Sequence, residues 1–295
     1  MLMKTIAIAL VLTIGVMRGA SQSNPLYSAL AEAACSCLDK KVTIEQIDAQ
    51  LDTCISKAMA WAINNGGPED KALLSTAEGV MAAQDSIYQM IAPICPPIMS
   101  LILEMKKEEL YRLSENEEAN NFYREGTELM KNNAYAEAIK PLERAVALDS
   151  LFVIALDHLA ISHRRSGDLD KAIVYYLKSL DIFPEGDLAL TNIAAAYTLK
   201  NELDNAELYY SDLHYLYPDN PEGHFGLAKI AFMRSDFELA LDFAFTAHRM
   251  YAESESDYVQ DSNKLINMIY VQLKDAGKLD IFEAKAKEHG IEMKN

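Results

Sequence analysis

Apolar and small residues in the C-terminal two thirds of the chain fall into a repeating frame. Gly126, Ala160, Ala194 and Ala228 are spaced by 34 residues, and so are Ala138, Ala172, Ala206 and Ala240. Tyr135, Leu169, Leu203 and Phe237 share the period, as do Pro184 with Pro218 and Tyr176 with Tyr210. Several independent columns at one period mark a repeated structural unit. Within a unit the two small residues lie twelve apart, on successive helices, where a side chain no larger than a methyl lets two backbones approach closely. The branched or aromatic residue three positions before the second alanine fills the space beside that contact. Proline closes a unit because it cannot continue a helix interior. Turn segments separate the helices: "KNNAY" (131–135), "RSGDL" (165–169), "KNELD" (200–204) and "RSDF" (234–237). Each helix pair keeps an apolar face that only a neighbour can cover, so the pattern predicts a stacked all-α solenoid.

The N-terminal third is helical by a different pattern. Tyr27, Leu30, Ala34, Cys37 and Leu38 recur at helical spacing. Thr43 with Gln46 has capping-box spacing and opens a second helix. Its apolar face carries Ile44, Ile47, Leu51, Cys54 and Ala58, and Gly66-Gly67-Pro68 ends it. Trp61 continues this helix, and core packing is expected for it. A third helix is predicted near 69–91 and a fourth from about Pro97. The charged stretch "EMKKEELYRL" (104–113) carries the chain toward the repeats, and Ser114-Glu115-Asn116-Glu117 reads as the capping box of the first repeat helix. At the extreme N-terminus, Lys4 precedes an uncharged run from Ile6 to Met17 and the small residues Gly19, Ala20 and Ser21. That layout predicts a secretory signal peptide cleaved after Ser21, with a run too short to span a bilayer. The predicted organisation is a signal peptide (1–21), a four-cysteine helical domain (22–113) and a solenoid (114–295).

The repeats resemble the tetratricopeptide repeat (TPR) family. "HLAISHRRSGDLDKAIVYYLKSLDIFP" (158–184) and "NIAAAYTLKNELDNAELYYSDLHYLYP" (192–218) match its pattern almost throughout. "EGTELMKNNAYAEAIKPLERAVALDS" (125–150) has Ser150 where proline is usual. "GLAKIAFMRSDFELALDFAFTAHRMYA" (226–252) has Ala244 at an aromatic position and Ala252 at the proline. The resemblance implies repeats near 119–152, 153–186, 187–220 and 221–254, with a degenerate cap near 263–290 built on Tyr270, Gly277, Leu279 and Ala286. It also implies a concave groove lined by the first helix of each repeat. By phase, the groove residues are Tyr123, Thr127 and Met130; Asp157, Ile161, Arg164 and Arg165; Thr191, Ala195 and Thr198; and Phe225, Lys229, Phe232 and Met233. Some family members clamp a C-terminal carboxylate with lysines and asparagines. Tyr123, Thr127 and Leu188 stand at positions of that clamp here, which puts that mode in doubt.

Charge narrows the partner class. The chain has a net charge of −17, and loss of the signal peptide takes Lys4 and Arg18 but no acid, giving −19. Such acidity disfavours nucleic acid and anionic lipid surfaces. None of the six histidines pairs at metal-ligand spacing, and no nucleophile, phosphate-loop or metalloprotease motif is present. No enzymatic activity, cofactor or metal is expected.

The four cysteines, Cys35, Cys37, Cys54 and Cys95, are then read as staples in an oxidising compartment. Residues two apart on a helix point to nearly opposite sides, so Cys35 and Cys37 are poorly placed to bond each other. Two pairings remain. The axial rise of an antiparallel helix pair favours Cys35–Cys54 with Cys37–Cys95 over the reverse. A labile redox pair, and free or metal-bound thiols, are the competing readings. The CxC…C…CP spacing also resembles small helical cysteine domains of exported bacterial proteins, with no activity implied.

The expectation is therefore an exported scaffold, periplasmic or secreted, without stable membrane insertion. It would bind a protein or peptide, of mixed acidic and apolar character, in the repeat groove. The alternative is a small-molecule or lipid carrier holding its ligand between Met90, Ile91, Ile98, Met99 and Ile102. Self-association through the second-helix tyrosines at 175, 176, 209 and 210 is a third expectation.

Overall fold

A computed structural model describes residues 24–39 and 42–291 of the 295-residue chain. The expected signal peptide lies outside the described residues. These residues form fifteen α-helices and no strand, in two compact units that divide between Lys106 and Lys107.

The first unit contains α1 (Pro25–Cys37), α2 (Ile44–Asn65), α3 (Pro68–Leu73), α4 (Ala77–Ile94) and most of α5 (Pro96–Leu110). Asn24 caps α1 by accepting from the Leu26 amide at 3.0 Å. Helix α1 packs against both α2 and α4. Its buried face, Leu30, Ala31 and Ala34, is small enough for close approach on two sides. Ile47, Leu51, Ile55, Ile87, Ile91, Ile98 and Ile102 complete the core.

Three details depart from the expected helices. Thr43 precedes α2 but makes no side-chain cap bond. The single third helix is two, because Thr76 accepts from the Gly79 amide at 3.0 Å and starts α4 afresh. Gly79 is required there, since a Cβ would overlap the carbonyl of Leu73. Trp61 is 66% exposed, not core, because the later part of α2 buries Ala58, Met59 and Ala62, and Trp61 points about 100° away from the centre of that face. Of the stripe proposed to hold a carrier's ligand, Ile91, Ile98, Met99 and Ile102 are buried as core.

All four cysteines are bonded, in the pairing the axial rise disfavoured. Cys35 joins Cys95, with Cα atoms 5.4 Å apart, and Cys37 joins Cys54 at 5.6 Å. The correction has a simple cause. The two residues differ in height by only about 3 Å, but by about 200° in direction around α1. With α1 lying against two helices, direction chooses the partner: Cys37 meets α2 and Cys35 meets the end of α4.

The second unit holds five antiparallel pairs: α6 (Glu117–Lys131) with α7 (Tyr135–Leu148), α8 (Val153–Arg165) with α9 (Leu169–Ile182), α10 (Asp187–Leu199) with α11 (Leu203–Leu216), α12 (Pro221–Met233) with α13 (Phe237–Glu253), and α14 (Val259–Asp275) with α15 (Leu279–Glu288). Ala138, Ala172, Ala206 and Ala240 are all fully buried, as the repeat frame requires. A Cβ on Gly126 would press on the Leu142 side chain, and one on Gly226 on the Tyr210 ring. The frame is also written in the backbone. Asn133, Gly167, Asn201 and Ser235 are spaced by 34 and all adopt left-handed φ, at 58°, 91°, 58° and 62°. Each reverses the chain between the two helices of its repeat.

Asn116, rather than Ser114, caps α6, accepting from the amides of Glu118 and Ala119. Where proline is missing the outcomes differ. Asp149 takes over after α7, accepting from the Leu151 amide at 3.0 Å. Ala252 offers no stop, and α13 runs 17 residues against 14 for α9 and α11. Tyr176 and Tyr210 are buried, and Tyr175 and Tyr209 are half-buried, so these tyrosines build the inter-helix packing more than an outer face.

Candidate functional site

The first helices of the solenoid present one face side by side, and a depression there spans the first two repeats. This depression, of about 300 Å³, is lined by Thr127, Met130 and Lys131 of α6, Tyr135 of α7, and His158, Ile161 and Arg165 of α8. The Arg165 guanidinium lies 5.9 Å from the Tyr135 ring centre, a cation–π distance that holds the charge over the cavity's edge. Thr127 donates its hydroxyl to the Arg124 carbonyl at 2.9 Å. Burial pushes the His158 imidazole below the usual histidine range, so its neutral form is favoured. The depression is thus apolar on its floor and cationic at its rim.

Further along, Arg164 donates to Asn192 Oδ1 at 2.9 Å and bridges α8 to α10. Thr191 and Thr198 donate to the carbonyls of Asp187 and Ala194, each at 2.8 Å, so their hydroxyls are satisfied within α10. In α12, Lys229 Nζ sits 4.6 Å from the Phe225 ring centre and 5.8 Å from that of Tyr210. Desolvation lowers its ammonium pKa. Phe225 meets Tyr251 edge-on at 5.9 Å, and Phe232 packs by Phe237 at 6.3 Å.

Residues 123–187 and 159–221 match the tetratricopeptide repeat family. Together the two matches span residues 123–221. No curated protein matches the chain. Among solved structures, a chain of the APC/C hetero-tetramer Cut9–Hcn1 covers 88% of this chain and 59% of its own length, at 16% identity and a TM-score of 0.51. A tetratricopeptide repeat protein from Parabacteroides merdae covers 59% of this chain and 77% of its own, at 16% identity and a TM-score of 0.42. MamA from Desulfovibrio magneticus RS-1 covers 55% of this chain and 98% of its own, at 12% identity and a TM-score of 0.43. The Cut9–Hcn1 likeness is one of fold.

Set on the TPR frame, the sequence-predicted groove residues divide. Thr127, Met130, Ile161 and Arg165 line one depression. Arg164, Thr191, Ala195, Thr198, Phe225, Lys229 and Phe232 are half-buried along the following first helices, and Met233 is exposed. Two residues do not reach the groove. Tyr123 packs inward against Phe152 and His158, with ring centres 5.1 and 5.4 Å away. Asp157 is only 1% exposed, because the Tyr111 hydroxyl covers it and donates to its Oδ2 at 3.1 Å. Burial pushes the Asp157 carboxyl up to about 7, with the nearby Ser179 and Tyr111 hydroxyls offsetting part of the effect. Its Oδ1 finds no hydrogen-bond partner.

Sequence reasoning missed Lys131, Tyr135 and His158 in the depression, and Lys107 and Tyr111 beside the repeats. Tyr135 stood in the repeat columns as a packing residue. Lys107 and Tyr111 carried a faint signal: they are four apart in a stretch otherwise read as a connector.

Proposed function

We propose that the protein is an exported, non-enzymatic scaffold whose TPR groove holds a segment of another protein. The observation that carries this reading is the depression shared by α6 and α8, where Met130 and Ile161 offer apolar contact beside the cations Lys131 and Arg165. An extended or helical segment with apolar and acidic side chains fits such a surface: the anchors bury apolar area while the acids meet Arg165 and Lys131. Export rests on the expected signal peptide and on two disulfides, bonds that persist in oxidising compartments such as a periplasm or the exterior. Among the described residues no single helix is long and apolar enough to cross a membrane.

The test is affinity capture from the native envelope extract with the wild-type chain and with I161E/R165E. The wild type should retain a stoichiometric protein that the variant loses, with the helical circular-dichroism signal unchanged. Equal retention by both would place the binding elsewhere.

A further inference from the structure

The chain already contains a segment lying against its own repeats. Residues 107–114 belong to the same compact unit as the TPR helices. Three anchors tie them down. Lys107 Nζ contacts both carboxylate oxygens of Asp187, the first residue of α10, at 3.0 and 2.9 Å. Tyr111 donates to Asp157 on α8. Ser114 exchanges hydrogen bonds with Asn120 on α6, its amide donating at 3.0 Å and its carbonyl accepting at 2.8 Å, and its hydroxyl donates to Asp149 Oδ2 at 2.5 Å. Read along the segment, the anchors meet the third, second and first repeats in turn. A short stretch crossing successive first helices is the path a bound partner segment would take.

The occupant is incompletely matched to its site. Lys107 is half-exposed in its ion pair, an arrangement that holds weakly in water. Tyr111 and Ser179 offer only neutral hydroxyls to the buried Asp157 carboxyl, and its Oδ1 finds no hydrogen-bond partner. A guanidinium would donate to both oxygens at once. Asp157 and Ile161 are one helical turn apart on α8, so the covered acid adjoins the open depression.

We propose that Asp157 and Asp187 form a recognition rim for a basic helical segment of a partner protein, one with a lysine or arginine followed a turn later by an arginine or tyrosine, and that residues 107–114 occupy this rim in its absence. The inference rests on the groove reading and deepens it. A partner segment would set its acids over Arg165 and its cations on the rim, displacing 107–114 as it docks.

The probe is a fluorescein-labelled synthetic peptide of residues 104–115 with arginine in place of Tyr111, titrated by polarisation into the full chain. K107A/Y111A, whose rim is vacated, should bind it at least tenfold more tightly than wild type. Adding D157N/D187N to that variant should abolish the gain. In wild type, excess peptide should speed amide hydrogen exchange at 107–114, a readout that stands even if K107A/Y111A misfolds. Equal affinity for wild type and K107A/Y111A, or unchanged exchange at saturating peptide, would overturn the rim proposal. I161E/R165E separates the two readings: if it loses the captured protein while the rim peptide fails, only this inference falls.

Discussion

Asp157 shows how one buried side chain sets a pH response. Its carboxyl titrates near 7 in the folded chain and near 3.8 when exposed, so the native state takes up a proton first as pH falls. Between those values the folded form binds more protons, and this group adds stability on acidification. His158, His163 and His214 act in the opposite sense. Burial lowers all three, so below about 6.5 the unfolded chain protonates them more readily and stability falls. D157N removes only the favourable contribution. Its melting temperature should match or exceed wild type at pH 8 and fall more steeply toward pH 5; parallel pH profiles would contradict this. Ser235 offers a second test at this scale. It holds φ of 62° with a Cβ, where Gly167 stands in the preceding-but-one turn at no such cost. S235G should stabilise the fold by about 0.5–1 kcal/mol, read by urea denaturation.

Among helices, the close pairs and the staples give separable expectations. Gly226 faces the Tyr210 ring with no room for a methyl. G226A should cost about 1–3 kcal/mol, and G226A/Y210L should recover part of it. The Cys37–Cys54 and Cys35–Cys95 bonds close loops of 17 and 60 residues. Chain entropy then assigns them about 3 and about 4 kcal/mol. Loss of Cys35–Cys95 should therefore lower the melting temperature of the first unit more than loss of Cys37–Cys54 does, as calorimetry of the serine pairs would show. Helix pairs were legible in the sequence because each repeat states the same packing requirement again, and a column such as Ala138 to Ala240 averages out local noise. The first unit has no such redundancy. One Thr76 split a helix, and the cysteine pairing turned on which neighbours flank α1, a tertiary fact that spacing does not encode. The groove followed the same division. Ile161 and Arg165 were readable from phase, but Asp157 was not, because the group that buries it arrives from outside the repeats.

For the whole molecule, the cysteines confine redox sensitivity to one part. All four lie before Lys107, so reductant should melt the first unit while α6–α15 keep their helical signal, giving two transitions in place of a shared one. Reduction that unfolds both together would show energetic coupling between the units. The left-handed residues at 133, 167, 201 and 235 carry a different consequence. They act as evenly placed hinges on a ruler, each marking the same point of an interchangeable segment. A solenoid whose units contact only their neighbours can be lengthened or shortened by whole units. Excising residues 187–220 brings Gly186 to Pro221 in the same phase, so α12 inherits the seat of α10. Such a chain should still fold, one unit shorter by small-angle scattering, whereas removing half that length should leave the hinges out of step and the array unable to close.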